Sequence, residues 1–296
     1  MYKFTNIFVE NLTNAGEGGT LCLYYAKLFW NLDISTQTSI LSKRWIMVYV
    51  DMGYIDIHTH IIPGIDDGSK SNKESVEMLR QAYAAGITTL IATPHFSKGF
   101  CDYNTEDIRR YCRALEKYAR EKVCADFKVY PGQEIFYNEK SLGMLQSGEV
   151  IALADTNYIL LEFSPDITYI AMFQALREIA MTVYFPVLAH VERYGCLREA
   201  GRMEELRQLG VMMQMNYAHI GGKWYDATTR WCRQMLKEGL IDVLGTDMHN
   251  STDRGLRMEH ALTWMEKHLD EEYITELMCH NAQTIIMSVH KEDGNE

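Results

Sequence analysis

The segment Asp56-Ile57-His58-Thr59-His60, followed by Pro63-Gly64-Ile65-Asp66-Asp67-Gly68, carries the sharpest chemical signal in this chain. Along an extended strand, residues two apart share a face, so His58 and His60 can offer both imidazoles to a single ion. Neutral imidazole rings suit zinc, manganese or iron. A His-x-His pair alone is weak evidence, because surface histidines fall at this spacing by chance. Its place at the end of a strand pattern strengthens it.

Other metal-type residues stand at equivalent places. His95 follows Leu90-Ile91-Ala92-Thr93-Pro94, Glu134 follows Val129-Tyr130-Pro131-Gly132-Gln133, His190 follows Val187-Leu188-Ala189, and Asp247 and His249 follow Val243-Leu244-Gly245-Thr246. Each taken singly has a bland reading, a hydrogen-bonded polar residue at a strand end. Five strand ends doing so together are poorly explained by chance. Glu162 ends another apolar run and is a candidate outer partner of the ligands. His219 reads either way, whereas His260, His268, His280 and His290 fall on helical patterns or near the C-terminus and read as solvated side chains.

These residues need elements to position them. Short apolar runs at 54–58, 88–93, 127–131, 157–163, 183–189, 211–217 and 241–246 alternate with helical patterns near 72–85, 105–122, 168–182, 199–209 and 226–238, with two or three more after 254. Asn72 is an N-cap candidate, and Gly86 and Gly239 stand where helix C-terminal glycines belong. Seven strand–helix units predict an α/β fold, a distorted (β/α)7 barrel of one domain, with an open doubly wound sheet as the alternative. In a barrel the strand ends converge on the C-terminal face, where enzymes of this architecture place their sites.

Two arginines stand beside metal-type residues: Arg193 three after His190, and Arg254 five after His249. A guanidinium can grip phosphate oxygens through two parallel hydrogen bonds. A rival motif, Cys196-Leu-Arg-Glu-Ala-Gly-Arg202, has the C-x5-R spacing of cysteine-dependent phosphatases. Its middle reads as the start of a helix, and it lacks the small residues that a loop of inward-pointing amides needs.

Composition narrows the class. At 296 residues and 47% hydrophobic content, one substantial core is feasible. The net charge of −11 repels nucleic-acid phosphates, so no nucleic-acid partner is expected. Seven cysteines without a C-x-x-C pair point to a reducing compartment, and no apolar stretch of membrane-spanning length is present, so a cytoplasmic protein without direct membrane insertion is expected. Residues 1–51 show no sustained period, and their charges cancel. They read as an N-terminal extension of unassigned role, with an upstream start ahead of Met52 as one explanation and a peripheral extension as the other. Residues 52–296 then form the folded domain.

Together, Asp-Ile-His-Thr-His with Pro-Gly-Ile-Asp-Asp-Gly, Thr-Pro-His at His95, Gly-Gln-Glu-Ile at Glu134, Ala-His-Val-Glu-Arg-Tyr at 189–194 and Thr-Asp-Met-His at 246–249 resemble the polymerase and histidinol phosphatase (PHP) superfamily. The likeness is greatest to its bacterial tyrosine-protein phosphatases of capsular and exopolysaccharide loci. The resemblance spans residues from about 54 to about 287; the first 51 depart from it. It implies two to three divalent ions, manganese first, with iron or zinc as alternatives. His58, His60, Glu134 and Asp247 would hold one ion, Glu134 would bridge to a second with His190, and Asp67, His95 and His249 would hold a third. Arg193 and Arg254 would grip phosphate. A phenolate leaves tolerably, so a strong general acid is not needed, and a metal or Asp247 could assist.

The implied reaction is hydrolysis of phosphotyrosine by a hydroxide bridging two metals, with the tail of a bacterial tyrosine kinase governing polysaccharide export as the protein substrate. Histidinol-phosphate phosphatase is the enzymatic rival. A non-catalytic regulatory domain of the same fold is the rival from another class, against which all eight ligand positions are filled.

Overall fold

A computed structural model describes residues 53–97, 99 and 103–288, and the extension expected over 1–51 lies outside them, as does His290. Among the described residues, nine strands, all paired in parallel, carry the fold. They are β1 (Tyr54–Thr59), β2 (Ile87–Ala92), β3 (His95–Phe96), β4 (Lys128–Pro131), β5 (Glu134–Phe136), β6 (Tyr158–Glu162), β7 (Phe185–Leu188), β8 (Met212–Asn216) and β9 (Val243–Gly245). One sheet runs β1-β2-β4 and the other β3-β5-β6-β7-β8-β9.

The expected seven strand positions are present, but two of them bend. Thr93-Pro94 separates β2 from β3, and Gly132-Gln133 separates β4 from β5. Pro94 brings no N–H to the ladder. Gly132 crosses so close to the neighbouring strand that a Cβ there would stand 3.0 Å from Ile91 Cγ2. Each break passes the chain from one sheet to the other, and the sheet curls into a half-barrel. β9 returns to β1 at the C-terminal end: Asp247 N–H donates to the His58 carbonyl at 2.8 Å and His60 N–H to the Met248 carbonyl at 3.0 Å. The open-sheet alternative is thereby set aside.

Helices cover the outside: α1 (Asn72–Ala84), α2 (Thr105–Lys122), α3 (Ser141–Gln146), α4 (Tyr169–Ala180), α5 (Arg202–Gln208), α6 (Tyr217–Ile220), α7 (Ala227–Lys237), α8 (Glu259–His268), α9 (Glu271–Thr275) and α10 (Asn281–Met287). Three expectations change. The cap of α1 is Ser71, whose hydroxyl accepts from Glu74 N–H, rather than Asn72. The helix expected from 199 begins at Arg202, because Gly201 takes a left-handed φ of 86° and a 3-10 turn occupies Gly195–Arg198. The short α3 and α6 carried no periodic signal. Gly86 and Gly239, with φ of 90° and 69°, end their helices as expected. Among the described residues, no helix is long and apolar enough to cross a membrane.

Most of the core lies between sheet and helices. A second, smaller core contains Ile55, Ile57, Ile91, Leu160, Val187 and Val243 from the strands, and Ala282 and Ile285 of α10 pack into it. Ile285 is fully buried. Ile285→Ala should therefore destabilise the fold by about 2 to 5 kcal/mol, read from the urea midpoint, since it removes buried methylenes and leaves a cavity. A cost below about 1 kcal/mol would mean that α10 is peripheral.

Candidate metal centre

The strand ends deliver a dense group of donors. His58 and His60 end β1, where its pairing with β2 is irregular between Asp56 and Thr59, the kind of local break that re-aims side chains beside sites. His95 opens β3 and Glu134 opens β5. His190 and Asp247, just beyond β7 and β9, have φ of 33° and 50°. Non-glycine residues rarely adopt this left-handed region, and its cost is tolerated where surrounding structure holds a side chain in place.

The innermost donors are His58 Nε2, His60 Nε2, Glu134 Oε2 and Asp247 Oδ1. The two imidazole nitrogens are 3.3 Å apart; Glu134 Oε2 is 3.2 and 3.3 Å from them, and Asp247 Oδ1 is 3.5 and 3.4 Å. Donors bound to one ion at about 2.0 to 2.2 Å stand roughly 3 to 3.5 Å apart, and this is the spacing found. His58, His60 and Glu134 are fully buried.

Hydrogen bonds fix which nitrogens carry protons. Gln214 Oε1 accepts from the His190 backbone N–H at 2.8 Å, which settles the orientation of that amide, so His58 Nδ1, 3.0 Å away, must be the donor to it. Asp66 Oδ2 likewise accepts from His60 Nδ1 at 2.7 Å and from His95 N–H at 2.9 Å. Both Nε2 atoms are left with lone pairs facing each other. The Glu134 Oε2 atom has three imidazole nitrogens within 2.9 to 3.3 Å, yet none reaches it with hydrogen-bond geometry. Buried lone pairs that converge without a donor between them call for a cation, and this donor set fits a divalent metal.

Two further groups adjoin this one. His190 Nε2 lies 2.7 Å from Glu134 Oε1 and 3.4 Å from Glu162 Oε1, and His95 Nδ1 lies 2.9 Å from Glu134 Oε2 and 3.7 Å from Glu162 Oε2. Asp67 Oδ1 stands 3.5 Å from His95 Nε2 and 3.3 Å from His249 Nε2, with His60 stacked on His249 at 3.8 Å between centroids. All eight expected residues thus come together. Glu162, expected at most as an outer partner, stands among the donors themselves.

Charges respond to this crowding. Burial opposes ionisation of Asp247, but positive charge at His58 and His60, which the neighbouring carboxylates draw toward protonation when no cation stands between them, holds it well below the usual carboxylate range. Burial likewise disfavours charge on His190, and the Glu134 and Glu162 carboxylates outweigh it, raising the imidazole to about 9. Asp56 is pushed up to about 6 by complete burial, against the hydrogen bonds it accepts from Thr246 and from His58 N–H.

Both arginines lie at the mouth. Arg193 donates to Asp247 Oδ2 at 2.6 Å and to Glu162 Oε1 at 3.3 Å. Arg254 donates to Asp67 Oδ2 at 2.7 Å and lies 2.6 Å from His249 Nε2. Their side chains are 33% and 46% exposed. His219 is also half exposed, 3.9 Å from Glu192. His260 and His268 are exposed as expected, whereas His280 is half-buried.

The residue types match a known group of proteins as closely as the geometry suggests. The profile of the capsular polysaccharide synthesis CpsB/CapC family matches residues 54–287. The chain belongs to this family. It is 34% identical over 239 residues to the tyrosine-protein phosphatase CpsB of Streptococcus pneumoniae, covering 79% of this chain and 98% of that one. To the tyrosine-protein phosphatase YwqE of Bacillus subtilis it is 31% identical, over 78% of this chain and 91% of the relative. A crystal structure from the pair of YwqE and CpsB, described as unique metal-dependent tyrosine phosphatases, superposes with a TM-score of 0.72 at 29% identity, over 79% of this chain and 94% of that one. The CpsB/CapC fold is the distorted parallel barrel expected from the alternation of strands and helices.

Reading residue types missed the partners that hold the donors. Gln214 Nε2 donates to Asn216 Oδ1, and Asn216 Nδ2 donates to Asp247 Oδ2, both at 2.8 Å, so one amide chain joins His58 to Asp247. The available signal was polar residues two apart on an otherwise apolar strand, Gln214 and Asn216. Asp66 was visible only as a motif letter. Gln214→Met keeps the volume and removes the acceptor of His58 Nδ1. Metal affinity should fall about 10- to 100-fold in a metal titration, with an unchanged far-UV spectrum. Unaltered affinity would show that His58 is oriented by other contacts.

Proposed function

We propose that this chain is a metal-dependent protein-tyrosine phosphatase, and the observation that carries the reading is the converging set of buried lone pairs at His58, His60, Glu134 and Asp247. These four would hold one ion, Glu134 with His190 would hold a second, and Asp67, His95 and His249 would hold a third. Glu162 lies close enough to His95 and His190 to join them. Divalent ions at such a site supply an ionised water near neutral pH and offset charge on phosphoryl oxygens.

The chain's own residues do the rest. Arg193 and Arg254, anchored on Asp247 and Asp67, present their open N–H groups to the phosphoryl oxygens. The Arg254 guanidinium is placed by a tight loop in which Asn250 Oδ1 accepts from Arg254 N–H and His249 N–H donates to the Arg254 carbonyl. Asp247, kept ionised by its imidazole neighbours, acts as an anion that holds and orients. A phenol leaves tolerably without a strong protein acid, since its pKa is about 10.

The cysteine reading loses support. The Cys196 thiol is pushed up by burial, it sits in a 3-10 turn, and Arg202 is engaged by the Cys196 carbonyl, Glu199 and the Tyr169 ring. The finer reading is manganese as the ion and the tyrosine-rich tail of a bacterial kinase as substrate, in the cytoplasm. The capsular polysaccharide description of the family supports the kinase substrate, thiols at Cys112, Cys124, Cys196, Cys232 and Cys279 suit a reducing cytoplasm, and manganese rests on the resemblance alone.

Turnover of a phosphotyrosine peptide should exceed that of histidinol phosphate in kcat/KM, should vanish on thorough chelation, and should survive in Cys196→Ser. Chelation-resistant activity that disappears in Cys196→Ser would replace the metal reading with a thiolate one. Arg193→Ala and Arg254→Ala should each cost about 2 to 4 kcal/mol in transition-state stabilisation at normal metal content. Wild-type kcat/KM in both would mean that phosphate is held by other groups.

A further inference from the structure

A hydrogen-bonded turn carrying two exposed aromatic side chains follows α6. Trp224 and Tyr225 are 76% and 59% exposed, and their rings meet edge to face with centroids 5.9 Å apart. Large aromatic side chains left in water at one place mark interaction surfaces more than scattered ones do. The turn is held firmly. Asp226 N–H donates to the Lys223 carbonyl at 3.0 Å, Asp226 Oδ1 accepts from Thr229 N–H at 2.7 Å, and Arg233 donates to the carbonyls of Ile220 and Gly222. Gly222 packs so tightly that an added Cβ would meet Thr229 Oγ1 at 2.1 Å. The aromatic pair is therefore presented at little further cost in ordering.

Its place is set by β8. Asn216, bonded to Asp247, is followed at once by α6, which spans only about 6 Å, and then by the turn. His219 on α6 approaches Glu192, the neighbour of Arg193. A shallow pocket of about 350 Å³ opens here, lined by His219, Lys223, Tyr225 and Thr228 among others. Lys223 lies 5.8 Å from the Tyr225 ring centroid, and Arg230, Arg233 and Lys237 follow along α7. Asp226 also lines this pocket and Arg233 is spent on the carbonyls of Ile220 and Gly222, so Lys223 is a cation that the turn itself offers on a chain of net charge −11.

We propose that the Lys223–Asp226 turn and the pocket beside it bind the residues flanking the phosphotyrosine of an acidic peptide segment, and so set preference for protein over small aryl phosphates. The inference rests on the phosphatase reading above. An extended peptide advances about 3.3 to 3.6 Å per residue, and the turn lies one short helix beyond the Asn216 that bonds Asp247, so the residues next to a phosphoryl group at the donors are the ones placed to meet it. Trp and Tyr supply stacking area for the flanking chain, and Lys223 and His219 meet its carboxylates.

The test compares Trp224→Ala, Lys223→Glu and wild type on a phosphotyrosine peptide with Asp and Glu flanks and on p-nitrophenyl phosphate, all loaded with manganese. Both variants should lose about tenfold or more in kcat/KM on the peptide, with p-nitrophenyl phosphate unchanged within about twofold. Equal loss on both substrates, or loss on neither, overturns the assignment. Wild type that hydrolyses neither would overturn the phosphatase reading itself, and this proposal with it. Trp224-dependent sedimentation with phosphatidylglycerol vesicles, while peptide turnover stays intact, would reassign the turn to a membrane surface.

Discussion

Two imidazole lone pairs facing each other at 3.3 Å inside a buried cluster are the constraint on which the rest of the site depends. Such an arrangement is unfavourable unless a cation lies between the donors, and it survives in the fold because each ring is held from behind. Gln214 holds His58, Asp66 holds His60, and neither ring can turn away without leaving a buried polar atom unpaired. The same amide chain that orients His58 ends on Asp247, so opposite sides of the site are tied through β8.

The backbone serves the same end. Where β2 and β4 break at Pro94 and Gly132, the chain resumes with a donor: His95 in one case, Glu134 in the other. Glu134 N–H donates to the Pro94 carbonyl, so the two breaks are joined and the sheet curls at the level of the site. Closure from β9 to β1 at the same level brings Asp247 within reach of His58 and His60. Thr246 fastens this closure to the buried Asp56 carboxylate through both its N–H and its hydroxyl.

Electrostatics gives the mouth its character. The cluster gathers Glu134, Glu162, Asp247 and Asp67 against two guanidiniums, in a chain that is already acidic. Arg193 and Arg254 each touch a carboxylate and an imidazole of the donor group, so both guanidiniums are held in place by the cluster itself. Arg193 comes from the 3-10 turn immediately after the strained His190, which makes the aim of the ligand and of the arginine a single conformational decision.

Strand ends were legible in the sequence because parallel strands buried on both faces read as continuous apolar runs, and a His, Glu or Asp at the end of such a run is conspicuous. The eight metal-type residues and two arginines read in this way stand together in the structure, and the seven strand positions are present. Sequence periodicity could not show α3 or α6, which are too short to complete a pattern, nor the start of the helix at Arg202, where Gly201 alone turns the chain. Glu162, Asp66, Gln214 and Asn216 took their places only in the tertiary structure. Their side chains are ordinary in type, and what they do depends on which atom across the barrel stands within 3 Å, a relation between residues as distant in sequence as His58 and Gln214. Residue type and local spacing determined what this chain could bind; closure of the barrel decided which lone pairs meet.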